Sequence, residues 1–511
     1  MKRLYLLLML PLLLGACISD DSTYGTDTVN LEISGIEDNY NVISYSGDHL
    51  IINPQITTTF DEIDLEYNWA YYDNSRSQAI KYGEEILATN IQKEKNLDYL
   101  ASFPDGTYTL IFRVTSKSTG VSATKTCTIS SASALSKGFF ILKEDADGNT
   151  DLDLFNQETG MLSTDIIRSY QGEAIPGKPR HLDVNYDMSY LDPETEVANF
   201  GNLLSVTTEN NEVRWIRALD CRTVMDASNC HYDPVEGEKP YRTIHGYQYT
   251  YYLTSNGVYT VFHGQQGGIG TLGTLMGNGA STHAVAPLYT YWGPIYWNEQ
   301  TRSIEHVNYA GAFIRATSAY PGFSATDTNY DCLACGYCGA VNLSFFLLQD
   351  RDNPSQKYVY LVQAVVMQLN PTVVAVIPLN PASHFANAEE YSVNAQSAAV
   401  MYCVDENKVY SFGITGATPE KELVFEGLPS NETITYIANR YYTGYRNAND
   451  YDYLIVGTQS GNNYNVYMYN MVGGEPVGSP VHVINGTGKL HSIDYITPTN
   501  RSPEYYPVLD K

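Results

Sequence analysis

The sequence predicts an all-β protein, a small β-sandwich followed by a seven-bladed β-propeller. Three observations carry this. Residues 29–131 alternate apolar and polar positions at strand period. From residue 138 a unit of apolar strand, Asn/Asp/Gly turn and second strand recurs seven times. No amphipathic helix of useful length interrupts 138–511. A long solenoid or two further sandwiches is the competing architecture. The composition suits either, with 43% hydrophobic residues across 511 positions and 44 Tyr against 15 Phe. Tyrosine pairs a flat apolar face with a polar tip, which suits strands and wet surfaces.

The first segment is an address. Lys2 and Arg3 precede an apolar run from Leu4 to Leu14, too short for an ordinary membrane-spanning helix. The run ends in Leu14-Gly15-Ala16-Cys17, which resembles the bacterial lipobox. That resemblance implies cleavage before Cys17 and acylation of its thiol, so residues 1–17 carry the signal and its lipidated cysteine. Residues 18–28, within "ISDDSTYGTDTVN", form an acidic tether. No Asp directly follows the cysteine, and an acidic run after it resembles a surface-export signal. The expected location is the outer membrane, facing outward, held by two or more acyl chains. A formal charge of −27 repels phosphate backbones, so no nucleic-acid partner is expected.

The sandwich comes next. "LEYNWAYYD" (65–73) sets Trp69 among alternating aromatics. In "DGTYTLIFRVT", Tyr108, Leu110, Phe112 and Val114 share one strand face, "SKSTG" turns, and "ATKTCTIS" returns. This run with its upstream Trp resembles the PKD and immunoglobulin-like fold, which implies that Trp69 is the core tryptophan of a central strand. Residues 81–92 read as a short helix or an irregular crossing.

The ring of hairpins occupies 135–511. Its repeats are "GFFILKEDADGNTDLDLF" (138–155), 202–219, 249–262, 293–307, 357–379, 398–414 and 453–470. Each is expected to form the middle of a four-stranded blade, since stacked blades bury both faces of a hairpin. "KLHSIDYI" (489–496) is expected to close the ring on the first blade. Lipobox, PKD-like domain and the 138–155 stretch together resemble the PKD-like family of surface lipoproteins. Members accompany SusC/SusD-like outer-membrane uptake systems. The resemblance implies an accessory, ligand-capturing or scaffolding role and supplies no active site.

The candidate sites are few. Eight cysteines less Cys17 leave seven. Outside the cytosol cysteines tend to pair. Cys221 and Cys230 flank a short loop and are disulfide candidates, as are Cys332, Cys335 and Cys338 in "CLACGYC". A metal cluster at these three lacks a nearby fourth ligand. Cys127 and Cys403 lie in strand-like runs and read as buried hydrophobes. Asp145, Asp147, Asn149 and Asp151 fall at every second position and form a calcium candidate, although the same string makes an ordinary Asp-Gly turn. "GIGTLG" (268–273) fits Gly-x-Gly-x-x-Gly but starts no convincing helix, so it reads as a loop. Tyr291, Trp292, Tyr296 and Trp297, with Tyr441, Tyr442 and Tyr445, are aromatic candidates for stacking on sugar or peptide, with packing between blades as the alternative. His181, His245, His283 and His306 are scattered in sequence and open to assembly in space. No His-Glu-x-x-His and no Gly-x-Ser-x-Gly is present.

These readings predict a non-enzymatic surface lipoprotein that captures glycan or peptide, or scaffolds, for a nutrient-uptake complex. A propeller glycoside hydrolase, lyase or peptidase is the rival. Convergent acids or histidines at the ring's centre favour the rival, and an aromatic lining favours binding.

Overall fold

The computed structural model describes residues 30–44, 48–74, 88–103, 106–157, 159–232, 236–246, 249–262, 269–281, 283–285, 293–307, 312–363, 370–415, 418–442 and 451–496. The lipobox, Cys17 and the tether lie outside them. The chain divides into two compact units, residues 1–134 and 135–511.

In the first unit a five-stranded sheet runs in the order Asn39–Ser44, Ser122–Ser133, Gly106–Ser116, Leu65–Asp73 and Thr89–Gln92. Its first pair is parallel and the others antiparallel. Two small pairs, Leu31–Ser34 with Gln55–Thr58 and His49–Ile52 with Leu97–Leu100, complete the sandwich. The strand period sends Tyr108, Leu110, Phe112 and Val114 into one core with Trp69. Trp69 is fully buried, stacks on Phe112 at 4.2 Å, and donates its indole N–H to the Glu94 carbonyl at 3.0 Å. A buried indole needs such a partner. The short helix or irregular crossing expected over 81–92 is corrected in its described part, because Thr89–Gln92 is a strand paired with Trp69–Tyr71.

In the second unit the described residues form seven sheets. The first orders Lys489–Ile496, Gly138–Glu144, Thr150–Asn156 and Met161–Ser163. The others begin with Pro179–Leu191, Pro240–His245, Ala284–Val285, Tyr330–Cys338, Glu390–Val393 and Thr433–Tyr442, and proceed outward in chain order. A fifth short strand, Thr317–Ser318, adds to the outer edge of the fifth sheet. Five of the seven expected hairpins are the middle pairs of four-stranded sheets. Among the described residues 249–262 supplies the second and third strands of a three-stranded sheet, and 357–379 supplies the third and fourth strands of its sheet. There "YDCLACGYC" is the first strand rather than a loop, which moves the whole hairpin outward.

The cores prove the ring. Phe140 and Leu142 pack with Leu182 and Val184 of the second sheet, whereas Phe139 and Ile141 pack with Ile455 and Val466 of the seventh. Met188 and Trp215 join Tyr252 and Tyr259 of the third sheet. One cluster then spans the third, fourth and fifth sheets, a second the fifth and sixth, and a third the sixth and seventh. Each sheet is buried on both faces against two neighbours, and the last neighbour of the seventh is the first. This is a β-propeller. Closure is by Lys489–Ile496, which pairs antiparallel with Gly138–Glu144 as expected.

Two glycines make the seam possible. A Cβ at Gly457 would meet Leu490 of the closing strand at 2.2 Å. One at Gly486 would meet the Tyr464 ring at 2.1 Å. Tyr464 uses that space to donate to buried Asp153 of the first sheet at 2.6 Å. Lys143, also buried, pairs with the same carboxylate at 2.6 Å and with Asp165 at 2.9 Å.

Candidate functional site on the inner strands

The leading strands of the sheets are in contact around most of the ring. Lys489–Ile496 touches Pro179–Leu191, which touches Pro240–His245, and Ala284–Val285 touches Tyr330–Cys338, then Glu390–Val393, Thr433–Tyr442 and Lys489–Ile496 again. A leading strand has one backbone edge without a ladder partner, so nearby side chains must satisfy it.

Asp183 does this for the third sheet. Leu182, Val184 and Tyr186 turn into the core shared with the first sheet. Alternation sends Asp183 and Asn185 to the opposite face, toward the third sheet. One Asp183 oxygen accepts from the Thr243 N–H at 2.9 Å and the other from Arg242 Nη2 at 2.5 Å. Asn185 donates to Thr243 Oγ1 at 2.9 Å, and Ser205 Oγ lies 2.5 Å from the same hydroxyl. Burial pushes the Asp183 carboxyl up to about 6, opposed by Arg242 and reinforced by Asp494 of the closing strand.

Arg242 is 2% exposed, and two of its nitrogens, Nε and Nη1, have no protein partner. Partly buried His283, just ahead of the fourth sheet's leading strand, lies within electrostatic range of Arg242. Burial holds its imidazole down to about 4, against the contact with the Leu333 carbonyl and with the help of the Arg242 charge. The ring is therefore neutral at pH 7. Nε2 lies 3.2 Å from the Leu333 carbonyl, which can only accept, so the proton sits on Nε2 and Nδ1 is an acceptor without a protein partner. Two guanidinium nitrogens of Arg242 and one imidazole acceptor of His283 are thus left unmet. Both Asp183 oxygens are already engaged, so this carboxylate is placed as a support for Arg242 and not as a base.

The sites expected from sequence fare differently. Tyr296 and Trp297 are 0% and 2% exposed within the core of the third to fifth sheets, so they are corrected from binding residues to packing. Tyr441 is half-buried against the core of the fifth and sixth sheets, and Tyr442 ends the same strand. Tyr291, Trp292 and Tyr445 lie outside the described residues.

No disulfide forms among the described cysteines, which corrects the expected pairing. Cys221 lies in the core between the first and second sheets, and Cys230 in the core between the second and third. Cys332, Cys335 and Cys338 lie on one strand. A bulge between Cys332 and Ala334 turns Cys332 and Cys335 to one face, and Cys338 faces the other. Their thiols point to the carbonyls of Ala334, Ala284 and Ala398. Cys127 and Cys403 are buried, as expected.

The calcium candidate is corrected as well, because its oxygens are spent locally. Asp145 accepts from the Asp147 and Asn149 N–H groups at 2.9 and 2.8 Å and pairs with Arg168. Asp151 accepts from the Leu152 and Ile167 N–H groups at 2.8 and 2.9 Å. Asn149 Oδ1 accepts from Gly177 N–H, and Asp147 is exposed. The described residues contain no group of three or more His, Cys, Asp or Glu placed to hold a metal ion. His306 stands apart, its Nδ1 2.9 Å from the Pro294 carbonyl, and His245 packs edge-on against Tyr186. In "GIGTLG" the described part is loop, with Leu272 bridged to His231.

Asp183 and Arg242 escaped the sequence reading, and His283 entered it only as one of four scattered histidines. The available signal was a charged residue at the centre of a strand in "RHLDVNY" and "YRTIHG".

No curated protein sequence matches this chain. Among solved structures it is similar to a quinonprotein alcohol dehydrogenase-like protein from Bacteroides thetaiotaomicron, at 11% identity and a TM-score of 0.43, over 92% of this chain and 100% of that one. It is also similar to a DUF4784 family protein from Bacteroides caccae, at 8% identity and a TM-score of 0.34, over 78% and 96%. A third is the Swd1 β-propeller domain from Myceliophteria thermophila, at 7% identity and a TM-score of 0.31, over 58% and 88%. Residues 17–179 match the model of the PKD-like family.

Proposed function

We propose that this chain is a lipid-anchored, surface-exposed binding protein whose propeller captures glycan or peptide without covalent chemistry. Each of the seven sheets is one blade, and the inner-strand cluster is where the ligand docks. The anchor is the lipid on Cys17 in the outer membrane, and the partners are SusC/SusD-like uptake proteins. One observation carries the reading. The buried polar cluster on the leading strands leaves donors of Arg242 and an acceptor of His283 unmet, while its carboxylate, Asp183, is fully engaged. Such an arrangement suits an oxygen-rich ligand, and its one free imidazole, held down to about 4 by burial, is a weak base.

The enzymatic reading has one observation in its favour. Asp183, pushed up to about 6, feels Asp494 across the leading strands, and interacting acids are a familiar acid–base device. A polysaccharide and glycopeptide array, run with calcium and with chelator and followed by a reducing-end and peptide-release assay, separates the two. Specific retention with no new chain ends supports capture. Chain cleavage supports the enzyme, and a blank array removes both in favour of a scaffold.

A further inference from the structure

A second site belongs to the N-terminal sandwich, on the outer face of its five-stranded sheet. Strand alternation sends Leu65 and Trp69 inward with Phe112 and Val114, so Glu66 and Asn68 of one strand, and Arg113 and Thr115 of the next, face outward. The ladder sets Glu66 opposite Thr115 and Asn68 opposite Arg113. On the other side of the same strand Gln92 pairs with Trp69, which brings Lys93 level with Asn68. Arg113 and Lys93 therefore flank Asn68 from two sides. With Leu65, Tyr67 and Lys117 these residues line an open cleft of about 430 Å³, the size of a small-ligand site.

The cleft's charge is unlike its surroundings. Residues 30–134 hold seven Lys and Arg against fourteen Asp and Glu, yet three of the seven line this cleft beside one acid, Glu66. Among the described residues, exposed Lys93, Arg113 and Glu66 have no ion pair and no side-chain hydrogen bond. Lys117 gives one N–H to the Ile63 carbonyl at 3.0 Å and keeps two. Neighbouring Asp64 is spent on Ser116 Oγ at 2.6 Å and on the Ser118 N–H at 2.9 Å. Two unpaired cations at one level match one phosphate monoester, which carries about −1.5 to −2 and three acceptor oxygens. A carboxylate brings a single charge. Glu66, one step along the same face, accepts and does not donate as a carboxylate, so the ligand must carry hydroxyls beside its anion.

We infer that this cleft binds a sugar phosphate. Its phosphate sits on Arg113 and Lys93, and a sugar hydroxyl donates to Glu66. No bond is made or broken, and the site is independent of capture at the inner strands.

The test is calorimetric titration of the full chain, at fixed ionic strength, with glucose 6-phosphate, mannose 6-phosphate, glucosamine 1-phosphate, glucuronate and inorganic phosphate. At least one sugar phosphate binds, and glucuronate and inorganic phosphate bind about tenfold more weakly or worse. Arg113→Gln and Lys93→Gln each weaken the sugar phosphate by about tenfold. Lys125→Gln, at a cation paired instead with Asp38 at 3.5 Å, leaves it unchanged. Glu66→Ala tightens inorganic phosphate and weakens the sugar phosphate. The binding that counts is the part Arg113→Gln removes, which keeps it apart from anything held by the propeller. Co-sedimentation with phosphatidylcholine vesicles bearing a phosphorylated glycolipid, lost in Arg113→Gln, assigns the sugar phosphate to a membrane headgroup. Soluble binding without sedimentation assigns it to a free sugar phosphate, and either supports the inference. Equal binding of glucuronate or inorganic phosphate, or no sugar phosphate bound, overturns it and leaves the capture reading untouched.

Discussion

At the residue scale, buried titratable groups decide how the fold answers to pH. His306 is 4% exposed, and burial holds its imidazole down to about 4 against an ordinary 6.5. Above pH 6.5 the folded and unfolded chains are both neutral at this residue. Between pH 6.5 and about 4 the unfolded chain takes up a proton that the folded chain refuses, so stability is lost on acidification, by up to about 3 kcal/mol. Asp151 and Asp183 act in the opposite sense. Burial pushes each up to about 6, so their ionisation costs stability as pH rises through 4 to 6. Urea unfolding of the wild type and His306→Asn, repeated from pH 4 to 8, isolates the histidine. The variant's stability, referred to wild type, should rise as pH falls below 6.5, and a flat difference contradicts the burial argument. The same scale explains what was hidden in the sequence. Asp183 and Arg242 are 59 positions apart, and only the adjacency of two leading strands joins them. Tyr296 and Trp297 looked like stacking residues because composition does not say which face of a strand is covered, and in a propeller both faces are.

At the element scale, the seam between the first and seventh sheets carries the closure. The run "FFIL" was legible because four consecutive apolar residues fit a strand buried on both faces. The partner of that strand was legible from the alternating "KLHSIDYI" at the chain's far end. "CLACGYC" was misread, because cysteine spacing suggested a disulfide while its strand character came from the bulge and from pairing with Leu343–Asp350. The seam's polar clasp was not legible at all, since Tyr464 and Asp153 are 311 residues apart. Tyr464→Phe removes a hydroxyl that donates to a buried carboxylate and should cost about 1.5–3 kcal/mol. Chemical denaturation measures it. A loss no larger than that of an exposed Tyr→Phe change would show that the clasp does not hold the ring.

At the scale of the whole molecule, a ring of sheets gathers polar groups from many strands at its leading edges, and a chain with charge −27 uses a buried arginine there. The fold class could be read from periodicity because every blade repeats the same local pattern. The ligand chemistry could not, because it depends on which atoms are left unmet after the fold is satisfied. The most direct test of capture at the inner strands is hydrogen exchange of the full chain with and without a saturating ligand identified on the polysaccharide and glycopeptide array. Protection concentrated in Pro179–Leu191, Pro240–His245 and the segment around His283 is the predicted result. Protection confined to the outer strands or to the N-terminal sandwich, with the leading strands unchanged, would contradict it.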